Sequence, residues 1–285
     1  MGIHIARSAT ESEIATTLAR IGAVRYLNTV PLIDGMERLR DVDLRLAAPA
    51  ALIGMLDRDE VDLALASIVD CQRSAVDVAL IPVGMIGCDG PTRTVRLLSR
   101  IPIDRITTLH ADTESHTSVV LARLIVGWTR DNRPPETIEW DAADSGSWPE
   151  SLVVIGDKVE DARAAEYPHS IDLGEAWRER TGLPLVYAAW MCRADRIDTD
   201  AVRLGAAVLE RQRRHNAMRL DNIVARNAGA HGWPIGEARD YLSRLLRYTV
   251  TDAHRAAVDR FFAEAASMGL IDAPRPVRWA DAPSA

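Results

Sequence analysis

"DLRLAAPAALIGMLDRDEVDLALAS", residues 43–67, decides the fold. DLRLAA (43–48) reads as a strand, and the proline-led PAALIGMLDRDE (49–60) sets Leu52, Met55 and Leu56 on one helical face. VDLALAS (61–67) is then a continuous apolar run, the mark of a strand covered on both faces. Upstream, RIGAVRY (20–26) is a short strand, and Pro31–Leu39 has helical spacing with Pro31 suited to a first turn. Residues 20–67 therefore read as two successive βα units feeding a third parallel strand.

Strand-rich VALIPVGMIG (78–87) and TVRLLSR (94–100) follow, separated by the turn-forming CDGP at 88–91. The alternation then restarts. Strands are predicted at TTLHA (107–111), TIEW (137–140), SLVVIG (151–156) and LPLVYAAWM (183–191), with helices at TSVVLARLIVGWTR (117–130) and IDLGEAWRERTG (171–182), the latter stopping at Gly182. From Thr199 onward the apolar spacing is helical. The expected architecture is α/β with two lobes and an interlobe cleft: residues 1–100 and 196–285 in the first lobe, 101–195 in the second, and the C-terminal helices returning to the first. Crossings are expected near 98–106 and 190–198, through short connectors that let the lobes hinge.

Composition narrows the function. The 285 residues are 47% hydrophobic, enough for a substantial core, and the net charge of −7 argues against a general nucleic-acid binder. Cys71, Cys88 and Cys192 are odd in number and lack CxxC spacing, which indicates buried thiols and neither a disulfide framework nor a zinc site. The opening MGIHIARSATESEIATTLAR has no apolar leader core, and no stretch approaches the length of a membrane span, so a cytoplasmic protein without membrane attachment is expected. Neither GxGxxG nor GxxxxGK occurs, and the histidines show no metal-binding spacing; no cofactor and no metal are expected.

Candidate site residues cluster at predicted strand ends, where open α/β folds bind ligands. Asn28 and Thr29 follow the first strand, Ser67 ends the third, and Thr94 opens the strand after the CDGP turn. DTESHTS (112–118) carries Ser115, Thr117 and Ser118 at a helix start, where amide donors and the helix dipole favour an anion; one of these hydroxyls can equally serve as the helix cap. Gly156 and Asp157, in VVIGDKVEDA, offer close backbone approach and either a cap or a ligand contact. His116 has no Ser or Asp partner in a recognisable motif. The set is rich in neutral donors and contains no evident catalytic pair.

These phrases resemble chorismate dehydratases, which open the futalosine route to menaquinone: RIGAVRYLNTVPLIDG (20–35), VDLALASIVD (61–70), GCDGPTRTVRLLSR (87–100), ADTESHTSVVLARLI (111–125), VVIGDKVEDA (153–162) and IDLGEAWRERTGLPLVYAAW (171–190). The resemblance implies a periplasmic-binding-protein type II-like fold. It also implies loss of water from the dicarboxylate chorismate to give 3-(1-carboxyvinyloxy)benzoate, with no cofactor. Asn28 of the YLN phrase matches the family's functional Asn, and Tyr26 belongs to the same phrase. Thr94 stands where relatives are expected to carry Ser, and His116 where many carry Arg. Two other readings share the fold: a cytoplasmic binding protein for a small carboxylate, and the sister enzyme 1,4-dihydroxy-6-naphthoate synthase. Oligomeric state is not legible.

Overall fold

The computed structural model describes residues 18–112, 116–140, 147–160 and 162–280. Strand β1 (Ala19–Ala23) pairs in parallel with β2 (Val42–Leu46) on one side and β3 (Leu63–Ser67) on the other, as the opening βαβα pattern requires. The turn after β1 begins with a 3-10 segment, Leu27–Thr29, and passes into α1 (Val30–Ile33), with Pro31 in the first turn. The predicted longer helix stops there because Gly35 takes φ +87°, a left-handed conformation that glycine adopts freely. Helix α2 (Pro49–Asp57) buries Leu52 and Leu56 against β3, every residue of which is buried.

A one-turn helix, α3 (Asp70–Arg73), leads to the long β4 (Val78–Cys88). The chain then enters a second sheet through β5 (Val95–Ser99), β6 (Thr108–Asp112), helix α4 (His116–Trp128), β7 (Glu136–Trp140), β8 (Ser151–Ile155) and β9 (His169–Asp172). Helix α5 (Leu173–Thr181) closes at Gly182, in the left-handed cap position, and β10 (Leu185–Arg193) returns to the first sheet between β3 and β4. Helices α6 (Asp200–Ala217), α7 (Leu220–Asn227) and α8 (Ile235–Asp240), a π-helical turn at Tyr241–Leu245, strand β11 (Leu246–Arg247), α9 (Asp252–Ser267) and β12 (Arg278–Trp279) complete the chain. The sheet orders are β11-β4-β10-β3-β1-β2, with β12 also on β4, and β7-β6-β8-β5-β9.

The sheets correct the expected lobe boundaries. β5 lies wholly in the second sheet and β10 wholly in the first, so the chain crosses at residues 89–94 and again between β9 and β10. The expected crossings came too late because an apolar strand reads the same whichever sheet receives it. One apolar cluster runs through both sheets, from Ala64 and Met191 to Leu97 and Val153. Trp177 of α5, fully buried, packs edge-on against Phe261 of α9 at 5.9 Å and donates Nε1–H to the Pro184 carbonyl at 2.9 Å. Helix α6 covers the opposite face of the first sheet, approaching so closely that a Cβ on Gly205 would stand 2.3 Å from Leu63. Among the described residues no helix is long and apolar enough to cross a membrane, and no group of three or more His, Cys, Asp or Glu could hold a metal.

Candidate active site

The carboxyl ends of β1 and β3 open into a cleft between the sheets with about 660 Å³ of free space including its mouth. Of the expected residues, Tyr26, Asn28, Ser67, Thr94 and Ser118 line it. Thr29 and Thr117 are fully buried behind its wall. Ser115 lies outside the described residues, as does the side chain of Asp157. Gly156 follows Ile155, which lines the cleft, and its N–H donates to the Thr94 carbonyl at 2.8 Å.

Thr29 is placed to orient Asn28. Its hydroxyl donates to Asn28 Oδ1 at 3.2 Å, so the Asn28 amide nitrogen is left as the donor available to the cleft. The 3-10 turn is closed by the Thr29 N–H on the Tyr26 carbonyl at 3.0 Å, which fixes the YLN phrase at the strand end.

Thr117 serves the scaffold and not a ligand. Its hydroxyl donates to the Tyr187 carbonyl at 2.9 Å and accepts the Val69 N–H at 3.4 Å, pinning the first turn of α4 to the first sheet. Beside it, His116 Nδ1 meets Asp70 Oδ1 at 2.6 Å, so the histidine that lacked a partner in sequence is paired across the lobes with a buried carboxylate. Folding brings these residues together from 46 positions apart, a separation no local motif encodes.

The loop between β4 and β5 presents Thr92 and Thr94 to the cleft. It is held by Asp172, which is 6% exposed and accepts the N–H groups of Thr92 at 3.0 Å and Arg93 at 2.6 Å. The same carboxylate caps α5 by accepting from Gly174 and Glu175 at 3.0 and 3.2 Å. Arg93 sits at φ +66°, a conformation that costs a non-glycine residue of order 1 kcal/mol and persists only where its surroundings impose it. The Arg93 guanidinium pairs with Glu237 and lies 5.3 Å over the Trp233 ring, joining the loop to the C-terminal helices.

Three polar lining residues are not marked by the sequence pattern: Thr92, Tyr187 and Tyr241. Tyr241 bonds its hydroxyl to that of Thr94 at 2.9 Å and stacks on Trp233 at 5.0 Å. It comes from the π-helical turn, and nothing in its sequence context marks it. Tyr187 carries the one hydroxyl in the apolar run LVYAAWM, a signal that was available. Its hydroxyl is buried with no hydrogen-bond partner among the described residues. Burial, with Cys88 and Asp172 nearby, pushes the phenol well above its ordinary pKa, so it remains a neutral O–H donor. The residues named here as lining the cleft are all uncharged. They are suited to hydrogen-bonding an anion and excluding water.

The family model described as menaquinone biosynthesis matches residues 19–267. The chain belongs to the menaquinone biosynthesis family. Among this member's relatives, a chorismate dehydratase from Thermus thermophilus is 28% identical over 277 residues, covering 89% of the chain and 96% of the relative. Similar solved structures include a structural-genomics protein from Archaeoglobus fulgidus, with TM-score 0.71, 14% identity and coverage of 88% of this chain and 98% of that one. The periplasmic aliphatic sulphonate binding protein of Escherichia coli has TM-score 0.60, 12% identity and coverage of 90% and 94%. The fold of this family member is therefore that of periplasmic binding proteins.

Proposed function

We propose that this protein is a chorismate dehydratase acting in menaquinone biosynthesis. The observation that carries the reading is a cleft at the strand ends lined by neutral donors, in a chain similar along 89% of its length to a chorismate dehydratase. In the reaction, the ring carbon bearing the enolpyruvyl ether loses its proton, and the adjacent carbon loses hydroxide. The electron pair of the broken C–H bond completes the aromatic ring, and water leaves. Aromatisation makes the step downhill, so the protein's task is to orient the substrate, exclude water and donate to developing negative charge.

Asn28 Nδ2 donates to the departing hydroxyl, with Thr29 holding the amide in that orientation. Tyr26, Ser67, Thr94 and Ser118 hold the two carboxylates. Tyr187 supplies a further donor, and Gly156 completes the contacts from the second lobe. The substrate's own enolpyruvyl carboxylate accepts the proton, which fits a lining of uncharged groups. No cofactor takes part, and the reading carries a cytoplasmic location.

Incubation with chorismate, followed by the appearance of aromatic absorbance, tests the activity; absence of conversion by the purified protein overturns it. Asn28→Ala is expected to keep the wild-type melting temperature and lose on the order of 100-fold in kcat, the usual cost of removing one preorganised donor. Wild-type turnover in that variant would refute the role of Asn28.

A further inference from the structure

A second groove lies behind the cleft, walled by the end of α6, the start of α7, the π-helical turn, β11 and the start of α9, with about 1450 Å³ of space including its mouth. Leu220, Leu242 and Leu246 give it an apolar side, while Arg244, Arg247 and His254 give it a cationic and donor side. Leu246 faces both cavities and forms the partition between them.

His254 is 7% exposed and its tautomer is fixed by the start of its own helix. Thr251 Oγ1 accepts the His254 backbone N–H, and its hydroxyl hydrogen goes to His254 Nδ1 at 2.7 Å, where the Thr251 N–H also points at 3.3 Å. With Nδ1 accepting, Nε2 carries the proton. That donor is buried and has no hydrogen-bond partner among the described residues; the hydroxyl of Tyr248, another lining residue, is in the same position. Buried donors are almost always satisfied, so the unpartnered Nε2–H of a residue lining this groove points to an acceptor supplied from the groove.

The charges around the groove favour an anion. Arg247 donates to the carbonyls of Arg244 and Leu246 and has no carboxylate partner among the described residues. Burial and Arg247 both keep the His254 ring toward its neutral form; Asp89 acts the other way, but is itself paired with Arg178 at 2.8 Å. Arg244 is only loosely met by Asp240, at 3.5 Å on the surface.

We infer that this groove is a second ligand site, for a small carboxylate with an apolar body: the carboxylate between Arg247, Arg244 and His254 Nε2–H, the body on Leu220, Leu242 and Leu246. The ligand would touch the substrate cleft's own wall through Leu246 without entering the cleft.

The test is a titration of the full chain with benzoate, followed by NMR of the His254 ring, with benzyl alcohol and inorganic phosphate as parallel arms. Saturable shifts are expected with benzoate in the wild type and equally in Asn28→Ala. Arg247→Gln is expected to weaken binding about tenfold, from loss of a charge-assisted bond, and Arg247→Lys to restore most of it. A silent His254 ring, equal benzoate affinity in Arg247→Gln, equal binding of benzyl alcohol, or phosphate binding as well as benzoate would each overturn the inference. The readout is binding at His254, so it is independent of whether chorismate is turned over.

Discussion

Asp172→Ala tests the account of how the cleft is built. One carboxylate accepts four backbone N–H groups, from Thr92, Arg93, Gly174 and Glu175, and also meets the Thr92 hydroxyl at 3.3 Å. The two amides of α5 represent a helix cap, whose loss costs about 1 kcal/mol. The loop amides of Thr92 and Arg93 would be left without an acceptor, at about 1–2 kcal/mol each. The expected total is about 3–5 kcal/mol, or a fall of roughly 10 °C in melting temperature for a chain of this size. Asp172→Asn keeps one acceptor oxygen and should lose about half as much, since its amide hydrogens must face other donors. Urea unfolding of the three proteins measures these differences. A loss below about 1 kcal/mol in Asp172→Ala would show that the loop is held by other contacts and would sink this reasoning.

Three further outcomes follow from the packing. Gly174→Ala would place a Cβ 2.5 Å from the Gly90 carbonyl and 2.7 Å from Cys88 Sγ, so it should destabilise by about 1–3 kcal/mol; Gly229→Ala, with open space around the Cβ, should stay within about 0.5. His254 is held below its ordinary pKa mainly by burial, so its contribution to stability is full above the unfolded value near 6.5 and is lost as pH falls through the lower folded value. His254→Gln should accordingly show a shallower loss of urea stability between about pH 7 and pH 5 than the wild type, and identical slopes would contradict the burial argument. Burial pushes the Cys71, Cys88 and Cys192 thiols up to about 12, so at about pH 8 the native protein should resist an aromatic disulfide reagent and react at all three only when unfolded.

The order of strands and helices was legible because burial imposes periodicity. The continuous apolar run 61–67 became a central strand at Leu63–Ser67, and the alternation before it became parallel pairing. Strand ends were legible as well, which is why Asn28, Ser67 and Thr94, which line the cleft, stand out in the sequence. The short strands β9 and β11 were missed because they hold too few residues to show a period.

What tertiary structure alone decided is which distant residues share a wall. Apolar pattern reports that a face is buried and is silent on its partner, so it could not assign β5 to the second sheet or β10 to the first. Nor could it bring Tyr241 to Thr94 across 147 positions, or His116 to Asp70. The sequence determined a chain of α/β units with hydroxyls and an amide at their ends. Packing decided that Thr29 and Thr117 would support the site from behind, that Thr92, Tyr187 and Tyr241 would complete it, and that Leu246 would divide it from a second groove.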